Sequence, residues 1–461
     1  MTALLGVCLA FFLFIGLSTG RLSASRDAYF VADRRGSALT IGGSLLATVV
    51  GASATVGVAG LAYDRGVTAL WWSLSGIVGL LVLGAFLVPR VRRWPAYTLP
   101  GLVGRMYGPR TAVVTALLIV VAWTGVVSGQ MVAAGLVLSV IGVGSPGLWM
   151  ALLAAVLVTY VIVGGQGAII RTDAVQAALL VVGVAAAVAA LLLAGDGLGS
   201  YVQALPDGSL AFPVSAAFGW DNLVTTLVLV GSVYLVGPDI YTRLFSARDT
   251  ASARRGVLGA ALLMLPVALL VTALGLAARV LAPGIAAEEA LPWLLYRGLP
   301  PFPSALLLAG LVAALMSSAD STLLGQAVAL ADDVISRIRP LDDRQAVLVT
   351  RLCVLGLGAI ALLLALSLRG VISSLLFAYS VFTSGVVGPV LLGLIGGRLR
   401  PDAPAALAGM CVGGAIGLCG AIPGLDVPLR PHLALVGLAA SVAVPLAVTA
   451  FRRRVLGRTG T

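Results

Sequence analysis

Histidine and cysteine are nearly missing from this 461-residue chain, lysine is missing altogether, and only 10% of the residues are charged. The one histidine, His432, falls in a connecting loop. Cys8, Cys353, Cys411 and Cys419 are scattered through apolar stretches without the close spacing of metal ligands, so they read as small buried residues. Hydrolytic, redox and metal-centred chemistry therefore have almost no side chains to work with, and neither an enzyme nor an organic cofactor is expected. The scarcity of charge, beside 60% hydrophobic residues and a mean hydropathy of +1.09, excludes a soluble globular protein.

What is present is a succession of apolar segments long enough to cross a bilayer. Thirteen can be drawn, at 4–19, 40–61, 68–88, 112–141, 148–164, 173–194, 222–241, 256–280, 302–331, 347–368, 370–395, 404–422 and 433–450. The expected fold is thus an all-α integral membrane bundle of about 13 transmembrane helices. The net charge of +11 invites a nucleic-acid reading, but its placement argues against one. All 29 basic residues are arginine, and alternating the loops leaves only Arg65, Arg279, Arg297, Arg369 and Arg430 on one side. By the positive-inside rule this bias predicts an N-terminus outside and a C-terminus in the cytoplasm of a cell (inner) membrane protein. The first segment lacks a basic n-region and an evident cleavage site, and Arg21 and Arg26 follow it, as for a retained span.

Two segments are unusual. Ala314, Ser317, Ser318 and Ser321 recur at i, i+3, i+4 and i+7, one helix face, inside a strongly apolar run that also holds Asp320. Polar groups at membrane depth must be satisfied, so such a face lines a cavity or holds an ion. Adjacent hydroxyls with a carbonyl one turn earlier form half of a neutral oxygen cage for a monovalent cation. The second segment carries Gly42, Gly43, Gly51, Gly57 and Gly60 with Ser44, Thr48, Ser53 and Thr55. Small residues of this kind permit close helix packing. They also permit a discontinuous helix whose unwound carbonyls around residues 52–55 face a site.

Elsewhere, 90–110 reads as a loop containing Pro95 and Pro100, 238–255 as a connecting stretch, and 196–221 and 282–301 as acidic or polar connections. Thr172 and Asp173 with Gln176 fit a capping box at a helix start. Asp239 and Arg243, spaced i, i+4, are expected to pair at the membrane surface. Asp320 is expected in a solvated funnel. No internal repeat is visible, which decides little for inverted repeats.

Several motifs in order resemble the sodium/solute symporter family. They are Gly51-Ala52-Ser53 with Gly57, then Gly164-Gly165 through Ala168 to Arg171-Thr172-Asp173 and Gln176. The stretch 239–255 with Arg243, the Ala313 to Ser321 run, and Ser384-Gly385 through Gly388-Pro389 to Gly393 with Arg398 and Pro401 follow. The resemblance spans the second to twelfth segments. It implies a bacterial member with the leucine-transporter-type fold, in which a five-helix unit and its inverted repeat alternate access around a central site, the first and sixth core helices being broken. On this basis 1–38 is an extra helix and loop, 39–195 the first repeat, 196–220 an outer loop, 221–400 the second repeat, and 401–461 two further helices and a basic tail.

The resemblance also implies a Na+ site formed by the carbonyls of Ala52, Thr55 and Ala314 and the hydroxyls of Ser317 and Ser318, with Asp173 and Asp320 along the ion's exit path. Neutral oxygens suit a weakly held monovalent ion that must also leave. Ala54 stands where sodium/proline permeases carry an aspartate, and the segment around residues 227–237 lacks the asparagine and paired aromatics of sugar carriers. Substrate contacts are expected among Ser53, Trp71, Trp72, Ser232, Tyr234, Tyr379, Thr383 and Ser384. The partners implied are Na+, the lipid bilayer and a small polar organic solute, such as a carboxylate or amino-acid derivative; no oligomer is required. A proton-coupled transporter of the same fold and a non-transporting sensor or scaffold are the alternatives. The first needs a titrating carboxylate in the site, and the second is disfavoured because the chain ends soon after Arg454 without a signalling domain.

Overall fold

A computed structural model describes residues 25–140, 142, 144–194, 197–367, 370–421 and 432–456, with Gly6, Ala10 and Phe14 as isolated positions before them. Apart from those three positions the first apolar segment lies outside the described residues, as do Cys8, Arg21, Arg369 and Arg430. All regular structure among the described residues is helical. Among the described residues ten helical runs are long and apolar enough to cross a membrane. The count of thirteen is not confirmed: some expected segments share one continuous run, one is short, and the first lies almost wholly outside the described residues.

The chain enters through α1 (Arg26–Val31), capped by Ser25, and α2 (Ala38–Val49), capped by Ser37, whose Oγ accepts from the Thr40 amide at 3.2 Å. After α2 the helix is interrupted. It resumes as a π-helical turn (Ser53–Gly57) and α3 (Val58–Arg65), which stops at Gly66. Gly66 has φ 74, and a Cβ there would lie 2.2 Å from the Ser209 carbonyl, so only glycine serves. α4 (Leu70–Val82) and α5 (Pro109–Ser139) follow. Between them the 90–110 connection is not a simple loop. Thr98 caps a helix, Leu99–Tyr107, accepting from the Gly101 amide at 2.9 Å, and Pro100 sits in its first turn where a missing N–H costs nothing.

The fifth and sixth segments form one run, α6 (Pro146–Ala194), broken only at Gly165, whose φ of 57 and ψ of −158 leave the helical region. α7 (Trp220–Val236) and α8 (Pro238–Ser246) are separated by Gly237, at φ −53 and ψ 132. A residue before proline is pushed toward extended conformation, and Pro238 then opens the new helix. The 238–255 stretch is therefore a buried helix followed by α9 (Thr250–Leu281), which Asp249 caps. α10 (Pro301–Val328), α11 (Asp343–Ser367), α12 (Val371–Phe382), α13 (Gly388–Ile395), α14 (Ala403–Ala421) and α15 (Leu433–Leu456) complete the bundle. α12 runs into α13 through a π-helical turn, Thr383–Val387.

α10 is the central post, packed along α6 and α5 and touching α2 and α8. α9 lies across α2, α3 and α4, and α14 and α15 pair with each other at the periphery. Leucines such as Leu262, Leu263 and Leu363 stay exposed, as lipid-facing residues do. Lipid tails are as apolar as leucine, so close van der Waals approach through small residues holds such helices together. A Cβ on Gly42 would sit 3.2 Å from the Gly256 carbonyl, and one on Gly60 2.8 Å from the Ala287 carbonyl. The second segment thus packs closely and is also discontinuous; its glycines serve both ends.

Candidate functional site

The first break centres on Gly51. Val50 leaves the helix at φ −101 and ψ 53, and a Cβ on Gly51 would fall 2.2 Å from Ser318 Oγ. Ser318, on α10, donates to the Thr48 carbonyl at 2.7 Å, with the Ala47 carbonyl at 3.4 Å. The freed Ala52 amide donates to Gln130 Oε1 on α5 at 2.8 Å. Thr55 returns both its hydroxyl, at 2.8 Å, and its amide, at 3.1 Å, to the Gly51 carbonyl. The carbonyls of Ala52 and Thr55 each accept one amide within the π turn, from Gly57 and Val58. Each keeps a second lone pair. The structure therefore brings the serine face of α10 against the break. It meets the carbonyls of Ala47 and Thr48, five and seven residues ahead of the Ala52 and Thr55 that the resemblance implies. Ala314 and Ser317 are buried on the same helix.

Beneath this contact lies a buried polar network. Ser317 donates to Asp173 Oδ1 at 2.5 Å, and Ser44 donates to Asp173 Oδ2. Arg243 Nη2 stands 3.3 Å from the same carboxylate and also bonds Ser321, while its Nε reaches Ser44 at 3.1 Å. Three expectations change here. Asp173 caps no helix, since α6 continues through it; Thr172 donates to the carbonyls of Ala168 and Ile169, and Gln176 has no partner. Arg243 does not pair with the Asp239 carboxylate at a surface but is wholly buried, turned to Asp173, with Nη1 on the Asp239 carbonyl at 3.2 Å. Asp320 is not solvated: it has no exposed surface, takes a hydrogen bond from Ser321 at 3.0 Å, and leaves Oδ2 without a partner.

Above the network is a cavity of about 40 Å³, lined by residues from both breaks and from α5, α10 and α12. Thr48, Gly51 and Ser53 come from the first break, Tyr234, Asp239 and Ile240 from the second, with Trp123, Gln130, Ser318 and Tyr379 closing it. Tyr379 meets Ser53, and the Tyr234 hydroxyl donates to the Val49 carbonyl at 3.1 Å. A larger cavity of about 470 Å³, with Arg65, Thr68, Trp72 and Asn222 in its wall, lies on the arginine-poor side. Trp72 lines the large cavity and Tyr379 the small one; their rings stack with centroids 6.0 Å apart, forming a partition.

Of the eight expected substrate contacts, Ser53, Tyr234 and Tyr379 line the small cavity and Trp72 the large one. The other four line neither. Trp71 stacks on Phe212 at 5.3 Å and donates to the Pro213 carbonyl at 2.8 Å, fastening a connecting loop. Ser232 bonds back to Val228 within its own helix, a local habit of serine in helices. Thr383 reaches the Leu229 carbonyl at 3.4 Å, and Ser384 faces α15, donating to the Ala434 carbonyl at 3.1 Å.

Ser44, Trp123, Gln130 and Asp239 belong to this site and were not singled out for it. A signal existed for Gln130, an uncharged polar residue alone in a long apolar run. Nothing in the local pattern marked Trp123. Among the described residues no group of histidine, cysteine, aspartate and glutamate could hold a metal ion of the usual structural kind.

Comparison with known proteins gives a consistent picture. A sequence model of the Sodium:solute symporter family matches residues 29–413. The high-affinity proline transporter PutP of Bacillus subtilis is 27% identical over 80% of this chain and 81% of its own length. The sodium/pantothenate symporter of Escherichia coli is 27% identical over 85% of this chain and 83% of its own. The sodium/glucose cotransporter of Vibrio parahaemolyticus is 26% identical over 80% of this chain and 74% of its own. Among solved structures, a substrate-bound, outward-open Na+-coupled sialic acid symporter superimposes with a TM-score of 0.84 at 19% identity, covering 98% of this chain and 97% of that one. The nucleobase-cation symporter Mhp1 superimposes with a TM-score of 0.61 at 15% identity, covering 94% and 96%. These neighbours have the leucine-transporter-type fold.

Proposed function

Because the chain belongs to the sodium:solute symporter family, we propose that it carries a small polar organic solute into the cell together with Na+, through a central site between its two broken helices. The relatives described above transport proline, pantothenate and glucose by name, all small polar organic solutes. The chain is a multi-pass membrane transporter. Its arginine bias supports a plasma-membrane orientation with the C-terminus in the cytoplasm, which makes the larger cavity an outer vestibule.

The observation that carries the reading is the contact of Ser318 with the first break. Na+ is assigned to the carbonyls of Ala52, Thr55 and Ala314 and the hydroxyls of Ser317 and Ser318. A serine that donates its proton to Asp173 or to Thr48 keeps its oxygen lone pairs for a cation, so the present hydrogen bonds orient the ligands. Asp173 and Asp320 stand directly behind these serines and supply negative potential along the ion's way out. The five-helix units at 39–195 and 221–400 fit the placement of the two breaks, each in the first helix of its unit.

The test is the double variant Ser317→Ala, Ser318→Ala, reconstituted in liposomes. Its expected result is the loss of Na+-stimulated solute uptake with normal insertion. Unchanged dependence on Na+ rejects the site. A proton gradient that drives uptake in the absence of Na+ favours the alternative coupling, for which Asp239 and Asp320 provide carboxylates beside the site.

A further inference from the structure

We propose that Asp239 sets the specificity of the central cavity, and that the solute presents a positively charged nitrogen to it. This rests on the transport reading above and names the chemistry of the cargo.

Asp239 opens α8 immediately after the break at Gly237 and lines the small cavity. It retains some exposed surface, unlike Asp173 and Asp320. The arginine that its spacing would pair with it is taken: Arg243 gives its guanidinium to Asp173, Ser44 and Ser321, and offers Asp239 only a bond to the main-chain carbonyl. Among the described residues the Asp239 carboxylate enters no ion pair. Its nearby side-chain donor is the Trp123 indole. An ionisable group at membrane depth is costly, and one that lines a cavity without a direct ion-pair partner marks a functional position.

The walls suit such a group. Trp123, Tyr234 and Tyr379 present aromatic rings around the carboxylate, and ring faces attract ammonium and alkylammonium groups. The volume, about 40 Å³, holds a few waters at roughly 10–15 Å³ each, which suits a small charged head. The remainder of the solute would extend past the Trp72–Tyr379 partition into the larger cavity, where Arg65 and Asn222 are available to polar or anionic ends. Zwitterions therefore fit, with the nitrogen innermost.

The experiment uses purified full-length protein and carbon isosteres. Thermal stabilisation in Na+ is measured for choline against 3,3-dimethylbutan-1-ol, glycine betaine against 3,3-dimethylbutanoate, and L-proline against cyclopentanecarboxylate, with D-glucose alongside. At least one nitrogen compound should stabilise the protein in a Na+-dependent manner while its isostere does not. Asp239→Asn should weaken that binding about tenfold or more, the size of one charge-assisted contact. The shift produced by Na+ alone should remain, which shows that the variant is folded. Equal binding of an isostere, a response to glucose only, no response to any nitrogen compound, or unaltered affinity in Asp239→Asn overturns the proposal and leaves Na+ coupling standing. Nitrogen-selective binding that ignores Na+ supports Asp239 and instead removes the symport reading.

Discussion

Asp173 and Arg243, 70 residues apart in sequence, meet at 3.3 Å with neither side chain exposed. The pair joins α6 to α8, and Ser44 and Ser317 extend it to α2 and α10, so four helices converge on one carboxylate. Breaking a buried ion pair by removing one partner leaves an uncompensated charge, at a cost of about 3–5 kcal/mol. Arg243→Gln is expected to lower thermal stability in detergent by that amount and to stop transport. The double variant Asp173→Asn, Arg243→Gln should recover part of the stability, because Asp173 is then not left charged without its partner. Strictly additive losses in the double variant would show that the two residues do not interact.

Gly51→Ala tests the approach of α10 to the first break. The added methyl would stand 2.2 Å from Ser318 Oγ and 3.0 Å from Gln130 Nε2, inside contact distance of both. The predicted outcome is a correctly inserted protein whose Na+-induced stabilisation is lost, since Ser318 must move from its carbonyl partners. Retention of the Na+ response in Gly51→Ala would mean that the two elements are farther apart during ion binding than they are here.

The sequence carried the membrane bundle, the first helix break and the serine face, because each depends on local composition: glycines at the break, hydroxyls at helical spacing on α10; the second break, at Gly237 and Pro238, was implied only by the resemblance. It did not carry partner choice. Asp239 and Arg243 lie at the i, i+4 separation that favours pairing on an exposed helix. In the folded bundle the guanidinium finds a buried carboxylate on another helix, where the low dielectric strengthens the attraction between the two charges and Ser44 and Ser321 satisfy further donors. Asp173 and Gln176 likewise matched a cap until the helix proved continuous through them. Trp71 and Trp72 are neighbours on one helix and differ by about 100° in direction, so one fastens a loop while the other faces a cavity.

Gln130 is predicted to be the residue that keeps the first break open. Its Oε1 satisfies the Ala52 amide, a donor released by the interruption of the helix. Gln130→Ala would leave that amide unpaired at a cost of about 1–3 kcal/mol. Thermal unfolding should report a loss of this size, and Na+ affinity should fall with it because the carbonyls of Ala52 and Thr55 lose their anchor. Gln130→Glu, measured at acidic pH where a buried carboxyl stays neutral, keeps the acceptor oxygen and should retain most of the stability. Equal losses in both variants would point to a packing role in place of the hydrogen bond.

Glu288 gives a prediction about pH on the arginine-poor side. It sits in the 282–301 connection, where its Oε1 accepts from the Val371 amide at 3.0 Å and so fastens that connection to the start of α12. Partial burial raises its pKa above the ordinary 4.5, and the Val371 amide opposes this more weakly. A carboxyl whose folded value is raised binds its proton more tightly in the folded state. Its stabilising contribution is therefore complete below pH 4.5 and is lost as the pH climbs through the folded value. Glu288→Gln preserves an acceptor for Val371 and cannot titrate. Measured side by side across this range, the variant should show a flatter decline of melting temperature with rising pH than the natural protein, and the two curves should separate most above pH 4.5. Parallel curves would mean that Glu288 titrates as a free side chain and that the fastening to α12 does not depend on its protonation.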